Sequence, residues 1–375
     1  MAAFDVAVVG LGATGSAALM TLARRGVRVV GIERFTPGHD RGSSHGETRI
    51  IRLGYFEHPS YVPLLRRTYQ LWRELEAAAG RTFMHTTGII EIGPPAGEVV
   101  AGTLAASRLH SLPHEVLDAA AVMRRFPAFR VPEDTIGVFQ PDGGFLDVEP
   151  SIAAMLELAQ TAGAQVRSGE IVHKITPQGG GVRIDTDRGT IDAGSAIIAA
   201  GPWLTKLLPD LPATLRVTRQ VQAWFQPNDP RLFAPERFPV FLLESRHGAH
   251  YGFPLAGGPG VKIAKHHHAD ETVDPDAVSR DVSPTDEALI RAAIAEHIPA
   301  ANGPMLAAKT CLYTVTADHD FIIDRLPGAP NVIVASPCSG HGFKFAPAIG
   351  EVLAGLAIDG GTPHDISRFR LGRFG

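Results

Sequence analysis

Three glycines near the start of the chain have the spacing of a phosphate-binding turn. Gly10, Gly12 and Gly15 form the pattern Gly-x-Gly-x-x-Gly, and the acidic residue Glu33 follows the next apolar run. Gly10 permits a tight turn, Gly12 lets the backbone approach a pyrophosphate, and Gly15 lets a helix pack closely on a strand. A carboxylate at position 33 favours a free ribose hydroxyl and disfavours a 2′-phosphate. The spacing therefore predicts a dinucleotide site that does not take NADP.

The chain has two cysteines, Cys311 and Cys338, among 375 residues. Each thiol could be a core residue, half of a disulfide, a metal ligand or a nucleophile, and free cysteine is most often buried. Two cysteines cannot form a disulfide framework, so a reducing compartment fits them best. The residue type alone leaves the role of Cys311 open.

Three consecutive histidines, at 266–268, have the residue type of a metal site. On a strand, side chains alternate between the two faces, so only His266 and His268 would share a face. No further cluster of ligands is evident in the sequence, and zinc needs three or four. We therefore expect hydrogen-bonding or surface histidines and no metal.

The glycine pattern lies in a strand–helix–strand unit. Residues 4–9 predict a buried strand, residues 16–25 a small-residue helix and residues 27–32 a second strand, as a dinucleotide site requires. The next stretch, TPGHDRGSSHGETRIIRLGY, is a polar, glycine-rich loop with three arginines and two histidines. A plain NAD domain would continue with a helix and a strand. The long loop therefore favours FAD, a larger anionic cofactor that the loop can wrap.

The rest of the chain alternates between two kinds of element. Apolar spacing predicts helices over 61–79, 119–126 and 285–296 and another that begins near Asp147. Alternating patterns over 217–304 predict a mostly antiparallel sheet. We expect an α/β (α+β, two-lobed) fold, with a Rossmann-like FAD-binding domain interleaved with a mostly antiparallel-sheet substrate domain. The predicted FAD-binding domain comprises 1–80, 145–215 and 306–375, and the predicted substrate-binding domain comprises 81–144 and 216–305.

Composition and charge argue against several classes of partner. Hydrophobic residues make up 45% of the chain and charged residues 20%, and the formal net charge is −4. This charge offers no basic field for nucleic acid or an anionic membrane. No run of about 18 apolar residues predicts a membrane span, and no signal-peptide pattern precedes the first strand. We expect a cytoplasmic protein that acts on small molecules.

Seven stretches resemble, in their order, the monomeric sarcosine oxidase and N-methyltryptophan oxidase family of flavoprotein amine oxidases, which have the D-amino-acid-oxidase-like fold. They are GLGATGSAA, GSSHGETRIIR, YVPLLRRTYQLWRELE, HYGFP, GVKIAKH, CLYTVTADHDFIID and SGHGFKF, and they cover nearly the whole chain. Each stretch alone is weak, but the seven together are specific. The resemblance implies an FAD-dependent oxidase that is a monomer.

The resemblance also implies that FAD is bound covalently, through a thioether from a cysteine to the 8-methyl group of the flavin. Cys311 matches the family's attachment site, because Tyr313 and the sequence FIID follow it at the family's spacing. Cys338 replaces a residue that is usually apolar, so it is expected to be structural. The cofactor contacts implied are Gly10, Gly12, Gly15, Glu33, Ser43, Thr48, Cys311 and Gly342.

Two basic residues are expected to hold a substrate carboxylate. The resemblance assigns this role to Arg52, which offers forked donors, and Lys344, which offers a point charge. By residue type alone, Arg52 equally fits a surface ion pair and Lys344 a solvated turn, although the aromatic neighbours of Lys344 favour a turn that packs inward. The matching residues that line the substrate pocket are Tyr251, Tyr313 and His266.

Three further basic residues match positions beside the flavin ring. Lys262 alternates with Val261 and Ile263, a pattern that alone predicts a solvent-facing lysine. The resemblance instead places Lys262 where it promotes the reaction of reduced flavin with O2, because a fixed cation stabilises the developing negative charge. Arg49 and His45 match residues on the other face of the ring, where they add positive potential.

The implied reaction is oxidative demethylation of an N-methyl amino acid, of the sarcosine or N-methyltryptophan type, to the amino acid, formaldehyde and hydrogen peroxide. The amine reacts unprotonated, so no side-chain base is required. One alternative is oxidation of a cyclic imino acid or a primary amino acid at a ring or α carbon. Another is a flavoprotein that uses bound FAD structurally or passes electrons to a protein partner instead of O2. Ser44, Glu47 and Pro337-Cys338 depart from the family pattern and leave the flavin environment and pocket shape open.

Overall fold

The described part of the chain forms three β-sheets and the helices that cover them. The computed structural model describes residues 3–375, and the elements below belong to that part of the chain. The strands are β1 (Phe4–Val9), β2 (Val29–Glu33), β3 (Thr48–Ile51), β4 (Met84–Thr86), β5 (Ile89–Gly93), β6 (Glu115–Asp118), β7 (Ile136–Gln140), β8 (Gly144–Asp147), β9 (Gln165–Ser168), β10 (Val172–Gln178), β11 (Gly181–Thr186), β12 (Gly189–Ile198), β13 (Leu215–Phe225), β14 (Val240–Ser245), β15 (Gly248–Gly252), β16 (Val261–Lys265), β17 (Met305–Thr316), β18 (Ile322–Leu326) and β19 (Ala329–Ser336). The α-helices are α1 (Ala13–Arg24), α2 (Val62–Ala79), α3 (Glu98–Leu109), α4 (Ala119–Arg125), α5 (Val148–Thr161), α6 (Leu204–Leu207), α7 (Pro284–His297) and α8 (Ala346–Ile358).

The first sheet has a parallel centre. β1 lies between β12 and β2 and runs parallel to both, and β19 and β9 extend this parallel arrangement on the two sides. β18 adds an antiparallel edge next to β19, and the β10–β11 hairpin pairs with the first half of β12. β1 and β2 are buried along nearly their whole length, as expected for parallel strands that are covered on both faces. The predicted α/β class is confirmed.

Helices α1, α2, α5 and α8 pack on this sheet around one apolar core. Leu19 of α1, Ile152 of α5 and Leu353 of α8 are all buried in it. Small residues bring α1 and α8 close together, since a Cβ on Gly350 would lie 2.7 Å from the carbonyl carbon of Ala17. This packing fixes α1, the helix that begins directly after the glycine-rich turn.

The second sheet is mostly antiparallel, as predicted. Its strand order is β17-β13-β16-β15-β14-β5-β7-β6, and β14 and β5 form its parallel pair. β13 and β17 pair along their length, from Leu215 opposite Thr316 to Phe225 opposite Met305. Helix α7 and a group of buried aromatic side chains pack against this sheet; they are Phe129, Phe225, Phe233, Phe238 and Phe241.

A small third sheet has the strand order β3-β8-β4, and its strand β3 lies within the polar loop region that follows β2.

One predicted domain boundary does not coincide with the sheets, because the segment 306–375 begins inside β17, and β17 belongs to the second sheet. A boundary after Thr316 follows the sheets more closely. The alternating pattern of β17 shows that it is a strand but does not show which sheet it joins.

The predicted helices agree with the structure to within a few residues. α2 and α7 occupy the regions predicted for them, and α5 begins directly after Asp147. A capping box starts α7, because the Ser283 hydroxyl accepts a hydrogen bond from the Asp286 N–H and the Asp286 carboxylate accepts one from the Ser283 N–H. Within residues 3–375, none of the helices combines the length and the apolar character needed to cross a bilayer.

Candidate active site

The glycine-rich turn between β1 and α1 lies on the wall of a cavity. Gly10 has a φ of 88°, and a Cβ on it would lie 2.5 Å from Ala199 O. A Cβ on Gly15 would lie 1.8 Å from Gly10 O, so both positions require glycine. Gly12 is less crowded, since a Cβ there would lie 3.3 Å from Ser44 Oγ. The turn thus brings bare backbone and the first residues of α1 to the cavity wall.

Ser44, which departs from the family pattern, supports this turn. Its hydroxyl oxygen accepts a hydrogen bond from the N–H of Ala13, the first residue of α1, at 3.2 Å. Gly12, which precedes α1, has no side chain to cap the helix. Ser44 therefore satisfies one of the free amides at the start of α1 from the polar loop.

Glu33 lies at the end of β2, on the wall of the same cavity. Its carboxylate accepts hydrogen bonds from the N–H of Leu11 at 2.8 Å and the N–H of Phe35 at 2.9 Å, and His39 Nε2 lies 3.4 Å away. Burial acts to raise the pKa of Glu33, but the hydrogen bonds from His39 and the backbone outweigh it and lower the pKa below its usual value. The carboxylate is therefore ionised at neutral pH.

The cavity has a volume of about 370 Å³ and extends from the glycine-rich turn to residues of the second sheet. It brings most of the predicted cofactor and substrate residues together on one wall. The predicted residues on the wall are Gly10, Gly12, Glu33, Ser43, Arg49, Arg52, Tyr251, His266, Tyr313, Gly342 and Lys344. The predicted residues that do not line it are Gly15, His45, Thr48, Lys262 and Cys311.

Both cysteines are free, and both approach the loop residue Ser43. The buried Cys311 Sγ lies 3.6 Å from Arg49 Nη2 and 3.7 Å from Ser43 O. Burial raises the pKa of the Cys311 thiol, and Arg49 opposes this effect. The sequence predicts a structural role for Cys338, yet this residue lines the cavity. Its Sγ accepts a hydrogen bond from the N–H of Thr314 at 3.4 Å and lies 4.0 Å from Ser43 Oγ.

Arg49 brings a positive charge to the cavity wall, and no carboxylate of residues 3–375 is hydrogen-bonded to it. Its Nη1 donates to Thr48 O and its Nη2 to Ser43 O, each at 2.9 Å, and both acceptors are neutral.

Nearby, His45 is buried, and neither ring nitrogen has a hydrogen-bond partner among residues 3–375. Burial, followed by the charge of Arg49, lowers the pKa of His45 to about 3. His45 is therefore neutral and has hydrogen-bonding capacity that residues 3–375 do not satisfy.

Lys262 contacts the polar loop, whose other side is held by α5. The Glu149 carboxylate, in the first turn of α5, accepts hydrogen bonds from the N–H of Gly46 at 2.7 Å and the N–H of Glu47 at 3.0 Å. Lys262 Nζ donates to Gly46 O at 2.6 Å and to Thr48 O at 2.9 Å. Glu47, the second departure from the family pattern, has a φ of 72° within this arrangement. The ammonium group is thus held by two fixed carbonyl oxygens.

Lys262 is buried, which corrects the solvent-facing position that its strand pattern alone predicts. Its Nζ lies 4.8 Å from the ring centre of Phe253 and 5.5 Å from that of Trp224. Burial lowers the pKa of Lys262 well below its usual value, and Arg49 adds to this, while Cys311 acts in the opposite direction. The alternation rule failed here because the loop covers the face of the sheet that would otherwise meet solvent.

Arg52 is buried between two carboxylates. Its Nη2 donates to both oxygens of Glu57, at 2.8 and 2.7 Å, and its Nη1 donates to Gly54 O at 2.8 Å. Glu91 Oε1 lies 3.5 Å from Nη1, and Gln140 Nε2 donates to Glu91 Oε2 at 2.9 Å. Although burial acts to raise the pKa of Glu57, Arg52 lowers it to about 2. Burial raises the pKa of Glu91 to about 7 despite Arg52.

Lys344 is the second buried cation of this part of the cavity. It lies in a short 3-10 turn (Phe343–Phe345) before α8, and its Nζ donates to His341 O at 2.6 Å and to Tyr55 Oη at 3.5 Å. Burial, followed by the charge of Arg52, lowers the pKa of Lys344 to about 7. The solvated turn that residue type alone allowed for Lys344 is therefore wrong.

The remaining pocket residues provide a neutral wall. His266 Nδ1 lies 3.4 Å from Tyr313 Oη, and burial raises the pKa of Tyr251 and Tyr313 and lowers that of His266 well below its usual value. The histidines at 266–268 form a turn after β16, which corrects the strand assumed for them. His268 is directed away from His266 toward Asp286, whose Oδ1 lies 2.9 Å from its Nε2.

Four residues that contact the two buried cations were not predicted from the sequence: Tyr55, Glu57, Glu91 and His341. Glu91 carries a detectable signal, because it is a charged residue inside the apolar strand IIEIG, and all five residues of that strand are buried. Glu57 has no comparable signal, since an acidic residue in a loop is ordinary. Its role depends on how the loop folds back onto Arg52.

The residues of this site fit FAD. The crowded positions of Gly10 and Gly15 leave a backbone cradle that a side chain would fill, and the ionised Glu33 lies at the end of the adjacent strand. His45 has unmet hydrogen-bonding capacity in the polar loop. The same cavity continues from these residues to Arg52 and Lys344. The fold and the site together define a flavin-dependent oxidoreductase, and the chain belongs to the FAD dependent oxidoreductase family, which matches residues 5–356.

Two named proteins and one solved structure are similar to this chain over nearly its whole length. The chain is 40% identical over 371 residues to monomeric sarcosine oxidase of Streptomyces avermitilis, covering 98% of this chain and 96% of the relative. It is 36% identical over 373 residues to N-methyl-L-tryptophan oxidase of Salmonella dublin, covering 99% of each. Among solved structures, NikD, an unusual amino acid oxidase essential for nikkomycin biosynthesis, is similar with a TM-score of 0.86 and 30% identity, covering 98% of this chain and 97% of NikD. The family predicted from the sequence is confirmed.

Proposed function

We propose that this chain is an FAD-dependent oxidase that removes the methyl group from the nitrogen of an N-methyl amino acid. In the overall reaction, the secondary amine, O2 and water give the demethylated amino acid, formaldehyde and hydrogen peroxide. One observation carries the proposal: a single continuous cavity joins the glycine-rich cradle to two buried cations, Arg52 and Lys344. The names of the sarcosine and N-methyl-L-tryptophan oxidases that this chain resembles support the same substrate class.

Arg52 and Lys344 would bind the substrate carboxylate. Arg52 provides a forked pair of donors and Lys344 a point charge, and burial strengthens both interactions. The carboxylate anchors one end of the substrate, while Tyr251, Tyr313 and His266 present neutral surfaces to the rest. Positive charges near the amine lower its pKa and favour the unprotonated form that reacts. A side-chain base is therefore unnecessary.

FAD would supply the two-electron acceptor, which O2 then reoxidises. We propose that the cofactor is held by Gly10, Gly12, Gly15, Glu33, Ser43, Thr48 and Gly342. Cys311 is proposed as the covalent attachment site, through a thioether to the 8-methyl group of the flavin. Its matching sequence context and its contact with Arg49 support Cys311 over Cys338. The position of Cys338 on the cavity wall makes it the proper control.

Lys262, Arg49 and His45 are proposed to act beside the flavin. Lys262 is fixed by Gly46 O and Thr48 O, so little rearrangement is needed for its charge to stabilise the negative charge that develops on O2. Arg49 adds positive potential, because the oxygens that accept its hydrogen bonds, on Thr48, Ser43 and Gln222, are all neutral. His45, held neutral by burial, contributes hydrogen-bonding capacity rather than charge.

We further propose that the first sheet and its helices form the FAD-binding domain and that the second sheet forms the substrate domain. A monomeric state fits the name of the sarcosine oxidase relative. A cytoplasmic location fits the two free cysteines, which persist in a reducing compartment. The proposed partners are a small secondary amino acid and O2, with no nucleic acid and no membrane.

The second candidate is oxidation of a cyclic imino acid or a primary amino acid at a ring or α carbon. The similarity to NikD, an unusual amino acid oxidase, supports this alternative at 30% identity. The same carboxylate anchor would serve both reactions, because only the carbon that faces the flavin differs. Demethylation and oxidation at a ring or α carbon are therefore distinguished by their products.

A peroxide assay over a panel of amines tests the proposal. Purified holoenzyme is supplied with sarcosine, N-methyl aromatic amino acids, cyclic imino acids and the matching primary amino acids, and hydrogen peroxide is followed over time. We expect the N-methyl amino acids to give the fastest peroxide formation. Inactivity with every N-methyl amino acid, together with activity on a cyclic or primary amine, would favour the second candidate. Inactivity across the whole panel would contradict the substrate class.

A further inference from the structure

A second cluster of possible ligands lies outside the cavity, where the turn between β14 and β15 meets the end of α7. His247, Glu296 and His297 each offer one ligand atom, and these atoms all lie within 4.8 Å of one another. His247 occupies the turn, and Glu296 and His297 are the last two residues of α7. The free carbonyl groups at a helix C-terminus favour a cation.

His297 has a ring nitrogen for which the described part of the chain supplies no partner. Its side chain is 3% exposed, and its Nδ1 lies 3.1 Å from Arg130 O. A carbonyl oxygen can only accept, so Nδ1 carries the proton and Nε2 of the neutral ring presents a lone pair. Nε2 has no hydrogen-bond partner within residues 3–375, and the group it faces is Glu296 Oε1, 3.8 Å away. His297 Nε2 is therefore a buried nitrogen that no hydrogen bond from residues 3–375 satisfies, and it faces a carboxylate oxygen.

The other two side chains complete the arrangement. His247 Nε2 lies 2.8 Å from Glu296 Oε2, and the side chains of His247 and Glu296 are 24% and 35% exposed, so solvent and ions can reach them. Arg246 donates to the same oxygen, Oε2, through Nε at 3.0 Å and Nη2 at 2.6 Å. Glu296 Oε1 remains the carboxylate oxygen that faces the lone pair of His297.

We propose that His247, Glu296 and His297 bind a divalent transition-metal ion of the zinc class. Two imidazoles and one carboxylate, with water in the fourth position, form a known tetrahedral zinc ligand set. Ligand atoms in such a site lie about 3.3 Å apart. His247 Nε2 lies 2.8 Å from Glu296 Oε2, and His297 Nε2 lies 3.8 Å from Oε1 of the same carboxylate. With one ligand atom from each residue, the three atoms lie within 4.8 Å of one another, so a small contraction around one Glu296 oxygen would complete the site. Arg130 O provides the outer contact that orients a metal-bound imidazole. The ion would join the β14–β15 hairpin to α7.

Zinc binding to the holoenzyme tests this site. Protein treated with EDTA and returned to metal-free buffer is titrated with zinc chloride by calorimetry, and we expect one zinc ion per chain. His247→Ala and Glu296→Gln are each expected to weaken binding at least about tenfold. Arg246→Ala removes a competing cation and is expected to leave binding equal or tighter. In zinc-soaked crystals, an anomalous difference peak is expected about 2.0–2.2 Å from the three ligand atoms.

A second histidine–glutamate pair provides the matched control. His364 Nε2 lies 3.1 Å from Glu351 Oε2, and this pair belongs to no three-ligand group within residues 3–375. His364→Ala is therefore expected to bind zinc as the wild type does. No binding by the wild type, or unchanged binding in both His247→Ala and Glu296→Gln variants that retain native circular dichroism and flavin content, would overturn the proposal. Equal loss in His364→Ala would also overturn it, since binding would then be nonspecific.

Discussion

Arg49 Nη2 lies 3.6 Å from Cys311 Sγ and donates to Ser43 O at 2.9 Å. An arginine in contact favours the thiolate, whereas burial favours the neutral thiol, and burial prevails because the pKa of Cys311 is raised. Cys311 is therefore protonated at neutral pH, with a cation in place to stabilise the thiolate. Cys338 differs, because its Sγ accepts a hydrogen bond from a backbone amide.

The first prediction concerns the flavin attachment. Cys311→Ser is expected to release its flavin when the protein is precipitated with acid, because serine cannot form the thioether. Wild type and Cys338→Ser are expected to keep the colour in the pellet, although Cys338 also lines the cavity. The mass of the intact chain provides a second measurement, since the tether adds the mass of FAD. A colourless wild-type pellet would contradict the tether even if the oxidase activity is present.

The second prediction concerns the reaction with O2. Lys262→Met is expected to slow reoxidation of the reduced flavin by about 10²-fold or more, because the fixed cation is lost. Anaerobic reduction by substrate should change far less. Stopped-flow absorbance separates the two half-reactions. Lys309→Met is the control, because Lys309 is exposed and its Nζ lies 5.7 Å from the same Trp224 ring that Lys262 approaches.

A normal rate of reoxidation in Lys262→Met would contradict the proposed role of this lysine. The pH dependence provides a further check. Burial lowers the pKa of Lys262, so the ammonium form is lost at a lower pH than for an exposed lysine. Reoxidation by wild type is therefore expected to slow as pH rises, and Lys262→Met should lack this dependence.

The third prediction concerns carboxylate binding and pH. The pKa values of Lys344 and Glu91 both lie near about 7, the first lowered by burial and the second raised by burial. As pH rises through this range, Lys344 loses a positive charge and Glu91 gains a negative one, so both changes disfavour a bound carboxylate. Each of the two groups is expected to raise the dissociation constant of a carboxylate inhibitor by up to about tenfold per pH unit above this range.

Spectral titration of the holoenzyme with a simple carboxylate measures this effect at each pH. Lys344→Met is expected to bind the carboxylate weakly at all pH values. Glu91→Gln is expected to reduce the dependence of the dissociation constant on pH. Lys265→Met, on the same strand as Lys262 but outside the cavity wall, should follow the wild type. Affinity that increases with pH would contradict the assignment of Lys344 to the carboxylate.

The fourth prediction concerns competition for Arg52. Both carboxylate oxygens of Glu57 accept hydrogen bonds from Arg52 Nη2, and a pKa of about 2 keeps Glu57 ionised. In the proposed binding mode, the substrate carboxylate displaces Glu57 from Arg52, so Glu57→Gln is expected to tighten inhibitor binding by about tenfold, the strength of one charged hydrogen bond. Arg52→Lys lacks the forked donors. In the double variant that combines Glu57→Gln with Arg52→Lys, the tighter inhibitor binding should therefore disappear. Weaker binding in Glu57→Gln would show that Glu57 supports the site rather than competing for Arg52.

The sequence predicted the local geometry of the glycine-rich turn better than the contacts of Arg52 and Lys262. Gly10, Gly15 and Glu33 depend on local geometry, since a strand, a turn and a helix that follow one another in sequence bring them together. Local patterns of this kind can be recognised before the structure is known. The crowding at Gly10 and Gly15 confirms that these positions need glycine.

Some residues were predicted wrongly, or not predicted, from sequence patterns. The positions of these residues depend on contacts between segments that are distant in the sequence. Lys262 alternates with apolar residues as a solvent-facing lysine does, but the loop that buries it lies 214 residues away in sequence at Thr48. Glu57 and Glu91 reach Arg52 because a loop and a strand converge on it. The alternating sequence pattern of β17 does not indicate which sheet this strand joins. Such pairings follow from the tertiary fold, which periodicity in a single segment does not encode.

Product analysis distinguishes oxidative demethylation from oxidation at another carbon. The best N-methyl amino acid from the peroxide panel is turned over by the holoenzyme, and formaldehyde, ammonia and hydrogen peroxide are quantified in the same sample. Oxidative demethylation predicts formaldehyde and peroxide in equal amounts, with the demethylated amino acid and no ammonia. Ammonia, or a cyclic imine without formaldehyde, would contradict demethylation and assign the oxidation to a different carbon.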